Sequence, residues 1–187
     1  MRVYDFDGTI YDGDSTMDFY LYSLCKHPEL VRFAPFQLFA VLFHAIGWLD
    51  TTAMKERFFC FLKGLQTADE LAETFWEARQ SKIMNWYLER MEKTDLVISA
   101  SPEFLLKPIC RRLGIRPPIA TLVNQENGQI QGKNCKGTEK VHRFLEKFPN
   151  ESICQFYSDS LTDAPLADLA NQSFLVKRGV LYCWPCR

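Results

Sequence analysis

Two acidic residues, Asp5 and Asp7, lie at the end of a short run of apolar and aromatic residues near the start of the chain. Gly8 and Thr9 follow them directly. This pattern is typical of a buried strand that ends in a turn. Ligands of open α/β sheets bind at the carboxyl ends of the strands, so the strand is predicted to deliver both carboxylates to a binding site. Carboxylates this close repel each other unless a proton or cation joins them, and the cation we expect is Mg²⁺, which prefers oxygen ligands.

A structural interpretation of Asp5 and Asp7 remains open at this point, in which they form a solvated strand end with a turn at Gly8. A calcium-binding EF-hand loop is excluded, because the sixth position counted from Asp5 is Ile10, where that loop needs glycine. Polar residues elsewhere in the chain are therefore needed to distinguish a structural turn from a catalytic or metal-binding site.

Four further polar residues adjoin predicted strands or helices. Ser99 ends an apolar run over residues 95–99, Lys136 precedes a helix predicted from residue 138, and Asp159 and Asp163 follow a strand predicted over residues 153–157. Taken singly, Ser99 and Asp163 are typical helix caps, and Lys136 is a typical surface lysine. Together with the first two acids they suit phosphoryl transfer, which needs a cation, hydrogen-bond donors and a nucleophile.

The elements that would position these groups fall into two kinds. From residue 95 onward, predicted strands alternate with helices, which favours a parallel sheet. Residues 15–93 have helical periodicity and no strand signal. The predicted fold is α/β: a doubly wound, Rossmann-like, mostly parallel sheet flanked by helices, with an all-helical cap inserted after the first strand. The predicted domains are a core of residues 1–14 and 94–187 and a cap of residues 15–93, placed to cover the site.

Residues 30–49 form the most apolar stretch of the chain. Arg32, Pro35, Gln37 and His44 interrupt it, and the uninterrupted part is too short to cross a bilayer. We predict no transmembrane segment here but a buried or lid-forming helix. The alternative is that its aromatic face contacts a membrane surface or an apolar substrate.

Length and composition narrow the class of protein. The chain has 187 residues, of which 47% are hydrophobic and 24% charged, so it can bury a sizeable core. Its net charge of −1 gives no electrostatic footprint for nucleic acid. The first predicted strand begins next to Met1 without a signal peptide, and the seven cysteines are scattered, so we expect free thiols and a cytoplasmic location. Cys183 and Cys186 form a lone Cys-x-x-Cys pair, which we interpret as incidental.

Residues 5–10, Asp-Phe-Asp-Gly-Thr-Ile, resemble the first motif of the haloacid dehalogenase (HAD) superfamily of phosphohydrolases. Residues 97–99 are similar to its second motif, a hydrophobic strand ending in Ser or Thr. Lys136 matches its third motif, and residues 157–163 match its fourth, an acidic pair after a strand. All four occur in order over essentially the whole chain. The helical cap and the wording of the last two motifs resemble the phosphoserine-phosphatase-like branch.

This resemblance implies the catalytic roles. Asp5 would be the nucleophile that forms an aspartyl-phosphate, and Asp7 the general acid toward the leaving group and then the general base for water. Mg²⁺ would be held by Asp5, the backbone carbonyl of Asp7 and Asp159, with Asp163 supporting.

The resemblance also implies a substrate-binding set of Thr9, Ser99 and Lys136. Ser99 and Lys136 would bind phosphate oxygens, and Thr9 would orient the loop. Lys133 is the alternative to Lys136, which is favoured because a glycine follows it and a helix opens there.

One departure bears on the substrate. Residues 99–102 are Ser-Ala-Ser-Pro, where phosphoserine phosphatases have Ser-Gly-Gly-Phe, and the cap is unusually rich in phenylalanine. We therefore expect a HAD-type phosphatase: a Mg²⁺-dependent phosphomonoester hydrolase acting on a small or lipid-type phosphate ester, with no nucleic-acid partner. A phosphotransferase or mutase, or a non-catalytic phosphate-binding regulatory module, is the alternative. A dehalogenase is disfavoured because that chemistry has no need for the acid at Asp7.

Overall fold

The apolar runs assigned to strands meet in one six-stranded sheet. The computed structural model describes residues 1–185, and the strand order is β3-β2-β1-β4-β5-β6. The strands are β1 (Arg2–Tyr4), β2 (Leu96–Pro102), β3 (Ile119–Thr121), β4 (Ile153–Ser158), β5 (Ala170–Lys177) and β6 (Val180–Cys183). The first five are parallel to their neighbours, and β6 pairs antiparallel with β5. The predicted α/β fold with a mostly parallel sheet is confirmed.

Helices connect the strands, and most of them lie between β1 and β2. The α-helices are α1 (Ser15–Lys26), α2 (Ala34–Ala45), α3 (Thr51–Phe58), α4 (Ala68–Arg79), α5 (Asn85–Leu88), α6 (Glu103–Leu113), α7 (Thr138–Lys147) and α8 (Ala164–Ala167). Short 3-10 helices span Pro28–Phe33, Phe59–Gly64, Gln80–Lys82 and Leu161–Asp163. The first five α-helices thus occupy the helical segment predicted to be a cap, and its division from the core as a separate domain stays a prediction.

The alternation of side chains along β1 explains why the strand lies at the centre. Val3 packs into a buried cluster on one face of the sheet, with Phe144 and Phe156. Tyr4 packs on the opposite face with the aromatic residues of the helical segment. On that face the indole of Trp76 is fully buried and donates a 2.6 Å hydrogen bond to the carbonyl oxygen of Leu105, which joins α4 to α6. The helical segment therefore packs directly on the sheet through aromatic side chains.

The sequence around Asp14 and around His27-Pro28 explains where α1 begins and ends. Asp14 caps α1 by accepting a 2.9 Å hydrogen bond from the backbone N–H of Met17, and α1 ends just before His27-Pro28, as expected. Thr67 precedes α4 but makes no side-chain capping hydrogen bond.

Strand β6 was not predicted from the sequence. It follows a turn at Arg178 and Gly179, both with positive φ. It lies at the edge of the sheet and is mostly exposed, so its sequence lacks the apolar run of a buried strand. Helix α2 forms within residues 30–49 as predicted. It is largely exposed, so the buried option is wrong, whereas the lid-forming option and contact with a membrane or apolar substrate stay predictions. In the described part of the chain, no helix is long and apolar enough to cross a membrane. The six cysteines described are free thiols, whereas Cys186 lies outside the described residues.

Candidate active site

The carboxyl ends of three adjacent strands, β1, β2 and β4, open onto one cavity. The backbone N–H of Asp5 extends the pairing of β1 with β4 by donating to the carbonyl oxygen of Tyr157 at 2.8 Å. This pairing delivers the Asp5 carboxylate to a cavity of about 450 Å³. Its polar lining comprises Asp5, Asp7, Asp14, Thr16, Thr51, Lys55, Ser99, Ser101, Lys136, Lys140, Asp159, Ser160, Thr162 and Asp163. The structure thus gathers the predicted site residues in one place, with the exception of Thr9.

Lys140, a residue that the sequence analysis did not single out, lies at the centre of the polar cluster. Its Nζ donates to Oδ1 of Asp5 at 2.8 Å and to Oδ2 of Asp163 at 2.7 Å. Asp163 also accepts a 2.8 Å hydrogen bond from the hydroxyl of Ser158. Asp163 makes no side-chain cap to α8, so it serves the cluster rather than the helix that follows it.

The electrostatics of this cluster follow from burial. Burial raises the pKa of Asp5 to about 7, against the opposing attraction of Lys140, and the neighbouring Asp163 and Asp7 raise it further. Burial alone would lower the pKa of Lys140, but Asp5 and Asp163 outweigh it and raise that pKa. Lys140 is therefore held as a cation between two carboxylates. A further positive charge nearby would stabilise the ionised form of Asp5.

Asp7 points to different partners from those of Asp5. Its Oδ1 accepts a 2.6 Å hydrogen bond from the backbone N–H of Ser15, at the start of α1. Its Oδ2 accepts a short hydrogen bond from the hydroxyl of Ser101. Burial raises the pKa of Asp7, although these hydrogen bonds oppose the shift. An acid with a raised pKa that touches the cavity can exchange a proton with a bound molecule.

Thr9 anchors the loop after β1 to the segment that follows β4. Its side chain is fully buried and lies outside the cavity lining, and its hydroxyl accepts a 2.9 Å hydrogen bond from the backbone N–H of Asp159. Thr9 therefore contributes to the orientation of the loop. Its burial away from the cavity lining argues against contact with a ligand, and its place in the substrate-binding set stays a prediction. Gly8, with φ of +69°, packs against the Asp159 carboxylate, and a Cβ at this position would overlap it.

Ser99 and Lys136 both line the cavity, as the sequence analysis expected. Ser99 is buried, and its hydroxyl accepts a 3.1 Å hydrogen bond from the backbone N–H of Ser101. Lys136 is exposed, as is Lys133, but Lys133 is absent from the lining residues. The position of Lys136 therefore favours it over Lys133 for contact with a ligand.

Lys55, on α3, is the third lysine that lines the cavity, after Lys140 and Lys136. Its Nζ donates to the carbonyl oxygen of Ala100 at 2.9 Å and to Oδ1 of Asn134 at 3.3 Å. Burial lowers the pKa of Lys55, although Asp14 and Asp7 oppose the shift. These contacts join the helical segment to β2 and to the segment that follows β3.

The carboxylates in the cavity have the chemistry that Mg²⁺ requires. Asp5 and Asp159 both line it, and burial raises the pKa of each, so a divalent cation beside them would offset unfavourable charge. Among the described residues, no group of three or more His, Cys, Asp or Glu side chains is arranged to hold a metal by itself. This arrangement suits Mg²⁺, which is commonly bound by one or two carboxylates together with substrate phosphate and water. The residues present therefore fit the expected ion.

Lys140 could have been found from the sequence by its place on α7. It lies four residues before the buried Phe144, so both side chains share the inward face of the helix. A charged residue on an otherwise apolar helix face is costly to bury without a partner. That conflict is the feature of the sequence by which Lys140 could have been identified.

Comparisons with known proteins agree with this geometry. A family model described as haloacid dehalogenase-like hydrolase matches residues 3–168. The curated protein CicA of Caulobacter vibrioides is 28% identical over 187 residues, which cover 91% of this chain and 82% of that protein.

Two solved structures illustrate the shared fold. A protein of unknown function from Bordetella pertussis Tohama I superposes with a TM-score of 0.76 at 18% identity, covering 92% of this chain and 87% of its own. A phosphoserine phosphatase solved as a phospho-aspartyl intermediate analogue gives a TM-score of 0.51 at 14% identity, covering 91% and 83%. These two superpositions show that the fold of this chain is shared with solved structures.

Proposed function

The chain belongs to the haloacid dehalogenase-like hydrolase family, and on that premise we propose that it is a Mg²⁺-dependent phosphomonoester hydrolase that acts through an aspartyl-phosphate on Asp5. The observation that carries this proposal is the buried contact of Asp5 with Lys140, at the floor of a cavity that Asp7 also lines. The phosphoserine phosphatase of similar fold was solved as a phospho-aspartyl intermediate analogue, which supports the same chemistry for this chain.

Each side chain has a distinct part in this mechanism. Asp5 attacks phosphorus through the carboxylate oxygen that Lys140 does not hold, and the leaving alkoxide takes a proton from Asp7, whose raised pKa favours the protonated acid. Asp7 then takes a proton from water, which attacks phosphorus and releases Asp5. Lys140 keeps Asp5 oriented, while Ser99 and Lys136 donate to phosphate oxygens.

Mg²⁺, when bound, supplies positive charge next to the phosphate and the nucleophile. The carboxylates of Asp5 and Asp159 and the backbone carbonyl of Asp7 would hold it. Asp163 supports the site by fixing Lys140.

The walls of the cavity favour an apolar leaving group. Above the polar floor, the helical segment contributes apolar side chains to the lining: Met17, Val41, Met54, Phe58 and Phe59. Ala100 and Ser101 stand where phosphoserine phosphatases have two glycines, and Pro102, which ends β2, has no backbone N–H to donate. A zwitterion such as phosphoserine would find few partners on this wall, so we propose that the helical segment is a cap that selects a larger or lipid-type phosphate ester.

Phosphate release from a panel of soluble and lipid phosphomonoesters tests this function. We expect hydrolysis that depends on Mg²⁺, is lost with a chelator, and favours esters with an apolar leaving group over phosphoserine. The Asp5→Asn variant should lose turnover and keep its fold by circular dichroism, whereas the matched control Asp69→Asn, far from the cavity, should retain turnover. Transfer of phosphate to a hydroxyl acceptor without release of inorganic phosphate would identify a phosphotransferase instead.

A further inference from the structure

Helix α2 has an inverted distribution of side chains. Its two buried residues are Gln37 and Ala40. Gln37 is held inside by a hydrogen bond from the Tyr20 hydroxyl and by its own donation to the carbonyl oxygen of Phe58 at 2.9 Å. The residues that face solvent are instead large and apolar: Phe36, Leu38, Phe39, Val41 and Leu42, followed by Ile46 and Trp48 after the helix. We call Phe36, Leu38, Phe39, Leu42, Ile46 and Trp48 the α2 face.

The α2 face is too apolar to be an ordinary surface. Phe36 is 64% exposed and Trp48 is 75% exposed, although both are residue types that usually lie inside or at interfaces. Scattered apolar residues on a surface need no explanation, but a contiguous apolar helix face marks an interaction site. A helix that is apolar nearly all round is normally covered on every side, so this face requires a cover.

Cationic side chains flank the α2 face. A groove of about 440 Å³ between α2 and α3 with its following 3-10 helix is lined by Phe33, Phe36, Phe39, Ala40, Arg57, Cys60 and Lys63. Neither Arg57 nor Lys63 forms a salt bridge with an Asp or Glu side chain in the described part of the chain. The groove therefore combines an apolar floor with unpaired positive charge at its rim, which is complementary to an amphiphile with an anionic head.

The α2 face is continuous with the catalytic cavity through the same helix. Val41, which lies between the residues of the face, is part of the cavity wall together with Phe58 and Phe59. A molecule held against α2 thus lies next to the entrance of the phosphate site.

We propose that the α2 face binds the surface of a lipid bilayer that contains anionic phospholipids, with Arg57 and Lys63 contacting the lipid headgroups. The apolar side chains enter the boundary between headgroups and acyl chains, in the manner of an interfacial helix. This binding places the cavity at the membrane surface. The use of that position for catalysis rests on the proposed function, whereas the membrane binding itself does not.

Co-sedimentation of the full chain with vesicles tests the proposal. We expect the protein to pellet with vesicles of phosphatidylglycerol and phosphatidylcholine, to pellet much less with phosphatidylcholine alone, and to be released by salt. The double variant Phe36→Gln, Leu42→Gln should lose at least about tenfold in partitioning, since it removes two inserted apolar side chains. The control is Leu145→Gln, which removes an exposed apolar side chain from α7, outside the α2 face. This variant should partition like the wild type.

The charge component is tested separately with Arg57→Gln and Lys63→Gln, for which Lys93→Gln on an exposed turn is the control. We expect the first two to weaken binding to anionic vesicles and the control to leave it unchanged. Equal partitioning of the Phe36→Gln, Leu42→Gln variant and the wild type would overturn the proposal. So would light scattering that shows a stable dimer, broken by the same double variant, with no vesicle binding.

The outcome separates this inference from the proposed function. Vesicle binding by a protein that hydrolyses no phosphate ester would support the membrane surface and contradict the phosphatase. Hydrolysis of soluble esters without any vesicle binding would overturn the membrane surface and leave the phosphatase standing.

Discussion

The Nζ atom of Lys140 lies 2.8 Å from Oδ1 of Asp5, and both residues are buried at the floor of the cavity. The same ammonium group lies 2.7 Å from Asp163. This contact spans 135 residues of sequence and joins α7 to the end of β1. It fixes the orientation of the proposed nucleophile and offsets the charge of two carboxylates that would otherwise repel each other.

Replacing Lys140 should therefore strongly reduce both stability and turnover. Lys140→Met leaves Asp5 and Asp163 buried without their cation, and breaking such a buried pair costs about 3–5 kcal/mol. We expect a clear loss of thermal stability and a decrease in kcat of at least about 100-fold, measured by calorimetry and by phosphate release. Lys147→Met, on the exposed end of the same helix, should change neither, and near-normal kcat in Lys140→Met would contradict the role given to this lysine.

Gly8→Ala should damage the site through a steric clash. The new Cβ would overlap the Asp159 carboxylate, and the backbone at Gly8 has a left-handed φ of +69°. The control is Gly132→Ala, where φ is +83° but nothing lies within 4 Å of the new Cβ. Both variants should lose about 1 kcal/mol of stability from the backbone alone. Gly8→Ala should in addition weaken the apparent affinity for Mg²⁺ by at least about tenfold, and equal Mg²⁺ affinities would show that Asp159 is not a ligand.

Lys136 should act on substrate binding. Because it is exposed and lines the cavity without a salt bridge among the described residues, Lys136→Ala should raise KM for a phosphate ester about tenfold or more with little effect on stability. Lys133→Ala should leave KM unchanged, since Lys133 lies outside the lining. The reverse result from steady-state kinetics would transfer the phosphate contact to Lys133.

Asp18 predicts a dependence of stability on pH. Its Oδ2 accepts hydrogen bonds of 2.6 Å from Tyr11 and from Lys82, which tie α1 to the loop after β1 and to the 3-10 helix Gln80–Lys82. Burial alone would raise the pKa of Asp18, but these partners outweigh it and lower that pKa below its usual range. A depressed pKa contributes stability above the unfolded value of about 3.9, and this contribution is lost as the pH falls through the folded value.

Asp18→Asn should accordingly lower the free energy of unfolding at pH 7 by about 1–2 kcal/mol. The difference between variant and wild type should shrink as the pH falls below about 4. Urea unfolding at several pH values measures both effects, and the exposed Asp12→Asn provides the control. A difference that stayed constant down to pH 3 would show that the charge of Asp18 is not what stabilises the loop.

Much of the site was predictable because strand ends leave a clear signature. Asp5, Ser99 and Asp159 each follow an apolar run with an abrupt change to polar residues, and parallel strands bring such ends together. Lys140 gave no such signal, because it lies within a regular helix and its importance depends on which face of α7 meets the sheet. Ser101 was not assigned to the site, yet its hydroxyl donates to Asp7, a contact set by how β2 ends beside β1.

The sequence left open whether α2 is buried or presents its aromatic face, for a related reason. Composition alone indicates a buried helix, since it counts Phe36 and Leu42 without knowing which side faces the protein. Packing decided otherwise, because the hydrogen bonds of Gln37 to Tyr20 and Phe58 turn the polar residue inward. Strand β6 was missed because it is short and mostly exposed at the edge of the sheet.

The central claim is that a phosphoryl group is transferred to Asp5, and this transfer can be observed directly. The wild-type protein would be mixed with Mg²⁺ and a phosphate monoester, quenched in acid during turnover, and analysed by mass spectrometry of the intact chain and of its peptides. We predict one added phosphoryl group, located on the peptide that contains Asp5 and absent from Asp5→Asn. Turnover without a labelled protein, or a label on any other residue, would contradict the account.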